Sequence, residues 1–267
     1  MTRDEQIRYL IGALLGEMPE YRDFTWMFPL RQCLRALMNV RPPLPLSPEF
    51  LEVQDAILSE ERESKGIVDV MSLPPAPSDP RLPLGRRLRL CLWQGDITRL
   101  NADAIVNAAN SALLGCFVPC HGCIDNAIHS AAGLQLRDEC HRLMTEQGRE
   151  EPTGYAKITS AYNLPCRYVL HTVGPIVSGT LQQWHREELA SCYRSCLALA
   201  AERGLKSVAF CCISTGEFHF PNDEAAKIAI NTVRNFLKAT SSIERIVFNV
   251  FKDVDLEIYR ELLGVSA

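Results

Sequence analysis

The chain has 267 residues, 47% hydrophobic and 22% charged, the balance of a folded globular protein and not of a disordered one. Its 28 Lys and Arg against 32 Asp and Glu leave a formal charge of −4, which excludes a broad footprint for nucleic acid and a polybasic membrane patch. No apolar run approaches the ~18 residues of a transmembrane helix and no signal peptide opens the chain, so the cytoplasm is the expected location and the 11 cysteines are expected as reduced thiols or metal ligands.

Ile7, Leu10, Ile11, Leu14 and Leu15 make one apolar stripe on a first helix, with Thr2 as its cap. Leu30, Leu34, Leu37 and Met38 predict a second helix over 29–40. Ser47-Pro48 opens a third as N-cap and first-turn proline. Residues 1–72 thus read as a small all-helical extension, with no clustered groups that suggest chemistry. The five prolines of 73–83 forbid a helix and mark a linker over 73–85, so the main domain is expected over 86–267.

Beyond the linker, Leu88, Leu90 and Leu92 alternate with polar or bulky neighbours and predict a strand; 104–110 is a short buried strand. One helical stretch is expected from about Asp125 to Gln147. Two strands follow, 157–164 and 167–173, with Pro165 between them. A long helix closes at Gly204, 207–214 is a buried strand, and Asn222 caps the next helix. A strand over 244–251 and a short helix over 255–263 end the chain. Strands alternating with helices argue for an α/β fold, a mostly parallel sheet covered on both faces.

Such sheets bind ligands at the carboxyl ends of their strands. Four segments lie there. Asp96, in Gln94-Gly95-Asp96-Ile97-Thr98, can accept from a base amino group or a ribose hydroxyl, or simply cap its own turn. Asn107 and Asn110 suit hydroxyl recognition. Residues 115–126 hold Cys116, Cys120, His121 and Cys123, soft and imidazole donors of the kind zinc prefers, and run into a helix N-terminus. Three of those four could surround one ion; His129, farther along the helix, is a possible fourth ligand but reads better as a packed or hydrogen-bonded histidine. Finally, Ser214-Thr215-Gly216-Glu217-Phe218 offers backbone amides to phosphate, and Phe218 or Phe220 could flank a sugar or base. Cys192, Cys196, Cys211 and Cys212 read as small core hydrophobes.

Taken in order, GDIT (95–98), AIVNAAN (104–110), IDNAIHSAAG (124–133), TGYAKIT (153–159), HTVGP (171–175) and ISTGEFHFP (213–221) resemble the macrodomain family of ADP-ribose binders and hydrolases. The segment GCFVPCHGC (115–123) and the helical extension resemble its zinc-dependent subclass of protein-ADP-ribose hydrolases. That resemblance implies a three-layer α/β/α macrodomain with a mixed, mostly parallel sheet. It implies one zinc per chain on Cys116, His121 and Cys123, with Cys120 the alternative to Cys116. Asp96 and the Ile97 backbone would take the adenine, and Asn110 the distal ribose. Asp125 would lie near the phosphates and metal and could orient His121. Ser214, Thr215, Gly216, Glu217 and Phe218 would wrap the diphosphate and ribose, with Cys123 also at the ligand. The implied activity is hydrolysis of mono-ADP-ribose from protein side chains, with Asn110, Asp125 and the three metal ligands as catalytic set. The other reading is a non-catalytic ADP-ribose reader with a structural zinc. The expected partners are ADP-ribose and mono-ADP-ribosylated protein, with no nucleic acid and no membrane, and the default assembly is a monomer.

Overall fold

The structure, a computed structural model, describes residues 1–77, 90–239 and 242–265. Most of the linker (78–85) and the start of the main domain (86–89, with Leu88) lie outside the described residues, as do 266–267.

Local chemistry sets the N-terminal helices. Thr2 and Glu5 form a reciprocal capping box at the start of α1 (Arg3–Glu17), which buries Ile7, Leu10, Ile11 and Leu14. A short α2 (Phe24–Met27), not expected from the pattern, leads to α3 (Leu30–Val40). Ser47 accepts from the Phe50 amide and Pro48 opens α4 (Pro48–Lys65). These helices share a core of their own, completed by Leu134 from the main domain. A two-residue strand β1 (Val68–Asp69) then pairs in parallel with β3 (Leu100–Asn101), which joins the extension to the main body.

The main body is a six-stranded sheet in the order β2-β8-β7-β4-β6-β5: β2 (Leu90–Gln94), β4 (Ala104–Ala109), β5 (Ala156–Ser160), β6 (Tyr168–Val173), β7 (Ser207–Phe210) and β8 (Arg245–Val250). All neighbours are parallel except β5 and β6. α5 (Ile124–Ala132) lies on β4, α6 (Leu134–Gln147) on β5, α7 (Gln183–Glu202) on β5 and β6, and α9 (Asp253–Leu263) on β2 and β8, while α8 (Asn222–Ala239) packs on α7 and α9. This is the expected helix–sheet–helix layering. Gly204 closes α7, with the Leu205 amide returning to the Ala200 carbonyl. Cys192, Cys196 and Cys211 are buried in the core as expected, and Cys212 is half-buried.

The strand expected over 157–164 is β5, which ends at Ser160, and three further expectations need correction. The stretch 125–147 is two helices broken at Gly133, whose φ of +97° only glycine adopts readily. A Cβ there would lie 2.7 Å from Gln54 Nε2, because α4 passes close to the break. Second, β7 ends at Phe210, so Cys211 to Ser214 belong to the following loop. Third, Asn222 is already helical and donates its side-chain amide to Asp255 at 2.6 Å. No helix among the described residues is long and apolar enough to cross a membrane.

Candidate functional site

Parallel strands point their carboxyl ends the same way, so the loops after β2, β8, β7 and β4 line one edge in that order. Asp96 follows β2. One of its oxygens accepts from the Thr98 amide and hydroxyl, at 3.0 and 2.7 Å, which is the turn-capping role. The other faces Lys65 Nζ at 3.7 Å from the end of α4. Ile97 is buried beside it. On the neighbouring strand's end stands Phe251, 75% exposed, its carbonyl accepting from Gln94.

The loop after β4 carries the candidate metal donors. Cys116 Sγ, a His121 ring nitrogen and Cys123 Sγ lie within 4.8 Å of one another, all half-buried. Cys116 Sγ is 3.6 Å from His121 Nδ1. Burial, with the Cys116 thiol and Asp125 close by, pushes the Cys123 thiol up to about 12. A cation beside the Cys123 thiol would offset that shift, and two sulfurs with an imidazole are the donors a borderline-soft ion such as zinc takes. Cys120 turns away: its thiol reaches the Gln32 carbonyl of α3 at 3.4 Å and its amide donates to Asn39. The donor group is therefore Cys116, His121 and Cys123. His121 Nε2 faces Glu217 Oε1 at 3.7 Å, so the carboxylate beside this imidazole is Glu217 and not Asp125.

Asp125 lies beneath the loop. Asn107 donates to it at 2.7 Å and Asn110 at 3.5 Å, and burial raises its carboxyl to about 6. Asn110 also donates to the Gly115 carbonyl and accepts from the Ala112 amide, which shapes the turn. Deeper still, His129, Cys140 and His171 form a second close group, fully buried. Asn107 donates to His171 Nδ1, so the ring proton sits on Nε2 and goes to Thr159 Oγ1 at 2.9 Å. Burial drives the His171 pKa down to about 3 and raises that of the Cys140 thiol, so both are neutral.

The loop after β7 faces the metal loop through Glu217. Its ends, Ser214 and His219, hold φ of +65° and +55°; Leu113 and Cys120 in the metal loop hold +58° and +53°. Strain of this kind in non-glycine residues gathers at binding sites. Gly174 makes room: a Cβ on it would sit 2.0 Å from Ser214 Oγ, a hydroxyl that is buried and without a partner among the described residues. The amides of Gly216, Glu217 and Phe218 have no acceptor among the described residues, as a phosphate cradle requires. Thr215 donates its hydroxyl back to Cys212, and the Phe218 carbonyl accepts from Val177. Phe220 is buried in the core and cannot flank a ligand; Phe218 is half-buried at the rim.

The sequence reading missed the contribution of the extension. Arg35, Asn39 and Gln32 reach the metal loop from α3, and buried Arg137 ties the Leu114 carbonyl to those of Met38 and Arg41. Only the amphipathic pattern of α3 was legible; its polar residues sit more than 80 positions from what they hold.

A family model described as Macro domain matches residues 106–229. A protein-ADP-ribose hydrolase of Treponema medium is 51% identical over 99% of this chain and 100% of its own length. One from Staphylococcus aureus strain MSSA476 is 50% identical, over 98% and 96%. Among solved structures, a Trypanosoma brucei macrodomain in complex with ADP-ribose superposes with a TM-score of 0.66 at 33% identity, over 86% of this chain and 95% of that one.

Proposed function

Since this chain belongs to the macrodomain family, we propose that it is a zinc-dependent hydrolase that removes mono-ADP-ribose from modified protein side chains by cleaving the glycosidic bond at the distal ribose. The observation that carries this reading is the convergence of Cys116, His121 and Cys123 beside the unpaired amides of the loop after β7. The names of the full-length relatives support the hydrolase activity.

In this reading an extended nucleotide runs along the edge formed by the strand ends. Asp96 accepts from the adenine amino group through the oxygen not used by Thr98, and Phe251 offers its exposed ring to the base. The amides of Gly216, Glu217 and Phe218 donate to the diphosphate, and the Ser214 hydroxyl gains a partner. Across four strand ends, about 4.8 Å apart, this brings the distal ribose to the loop after β4, beside Asn110.

Cleavage at the anomeric carbon develops positive charge on the ribose ring. When bound, zinc supplies Lewis acidity for the departing oxygen or for a water. Cys116, His121 and Cys123 would hold the ion, three protein donors as in catalytic sites and not the four of a closed structural one. Glu217 stands 3.7 Å from His121 Nε2, beside the ring nitrogen that is not turned to Cys116. Asp125 fixes Asn107 and Asn110 from below, which orients Asn110 toward the ribose.

The test is release of ADP-ribose from a mono-ADP-ribosylated protein by wild type and Cys123→Ala, with zinc quantified in both. The expected result is one zinc and turnover in wild type, and neither in the variant. Zinc with ADP-ribose binding but no release from several linkage types would replace this reading with that of a reader module.

A further inference from the structure

We infer that the N-terminal extension is a working part of the metal centre, and that Arg35 of α3 with Asn126 of α5 are positioning residues that fix the three metal donors. This rests on the zinc reading above. Asn126, fully buried, touches the backbone or thiol of two donor residues. Its Nδ2 donates to the carbonyls of Cys116 and Val118, at 3.4 and 3.0 Å. Its own amide donates to Cys123 Sγ at 3.4 Å. Its Oδ1 is gripped from the extension by Arg35, through Nη2 at 2.7 Å and Nε at 3.3 Å. The same guanidinium donates to the carbonyl of His121 at 3.2 Å. So the Arg35 guanidinium reaches His121, the Asn126 side-chain amide reaches Cys116 and the Asn126 backbone amide reaches Cys123, while Asn39 accepts from the Cys120 amide between them.

The arrangement suits Arg and not Lys. A planar guanidinium can hold two acceptors on different segments at fixed angles, whereas an ammonium is a single point donor. The Arg35–Asn126 contacts hold the loop in its closed shape from outside the donor set. They thereby slow metal escape and set the angle at which the donors meet the ion.

The full-length chain tests this with four variants: Arg35→Ala, Arg35→Lys, Asn126→Asp and, as control, Arg31→Ala. Arg31 lies on the same helix but pairs with Glu61 at 2.6 and 2.7 Å and makes no hydrogen bond to the loop among the described residues. Zinc transfer to a chromogenic chelator should be about 10- to 100-fold faster for the first three, the range for lost outer-sphere support. In cobalt-loaded protein the d–d bands should shift in those variants and not in Arg31→Ala. Melting of the metal-free proteins separates general damage, because Arg35→Lys should melt like wild type while still releasing zinc faster. Zinc release and cobalt spectra unchanged in Arg35→Lys and Asn126→Asp would overturn the inference, as would equal acceleration by Arg31→Ala. A wild type that takes up neither zinc nor cobalt would instead overturn the zinc reading itself.

Discussion

Two groups of cysteine and histidine lie one above the other in this molecule, and they share donor chemistry while differing in every other respect. Cys116, His121 and Cys123 sit half-buried on a strained loop at the mouth of the cleft, clamped by a separate layer of helices. His129, Cys140 and His171 sit fully buried below, where Asn107 and Thr159 already engage the His171 nitrogens. Donor type alone therefore does not make a metal site. Access to solvent decides between a centre that exchanges with solution and a packed core.

The contrast can be broken most sharply from above. Cys123→Ala should lower turnover about a thousandfold or more, equivalent to about 4 kcal/mol of barrier, while metal-free variant and metal-free wild type melt together. A parallel large loss of stability in calorimetry would mean that the upper group is as structural as the lower one. His171→Ala should do the reverse. It removes the ring partner of one Asn107 N–H and of the Thr159 hydroxyl in the core and should cost about 2–4 kcal/mol in urea unfolding, with zinc content unchanged.

Acid offers a finer discrimination. The folded pKa of His171, about 3, lies below its unfolded value, so the unfolded chain binds the proton first. Stability is complete above pH ~6.5 and falls as pH drops toward 3, by about 2 kcal/mol at pH 5. In His171→Phe that slope should flatten; an unchanged urea profile between pH 7 and pH 5 would assign the acid sensitivity elsewhere. The smallest expected effect belongs to Glu217→Gln. It weakens the hold on His121 Nε2 and should slow turnover about tenfold, leaving melting and free ADP-ribose binding in calorimetry as in wild type.

Much of this was legible beforehand. The period-2 and period-3.6 patterns located the strands and long helices, and glycine, proline and capping residues located most of their ends, because those signals are local. The candidate site was legible where donors cluster in sequence, as in 116–123. What escaped reading depends on distant segments. Gly133 breaks a helical pattern because α4 crowds it. Cys120 is turned out of the donor group by Asn39 and Gln32, 81 and 88 positions away. Glu217 replaces Asp125 beside His121 because two loops from different strands meet. Phe251 looked like the end of a strand; only its exposure at the cleft edge distinguishes it from a core aromatic.

The sheet order also sets a schedule. The metal end of the cleft leans on β4 and β6, joined by contacts such as Asn107 to His171, 64 positions apart. The Asp96 end leans on β8, whose Asn249 donates to the Gly95 carbonyl from 154 positions further on. At roughly 5–20 residues per second, a nascent chain leaves Asp96 without that support for about 10–30 s. During synthesis the end that carries Cys116, His121 and Cys123 acquires its partners first, and the Asp96 end is the last part of the cleft to be built.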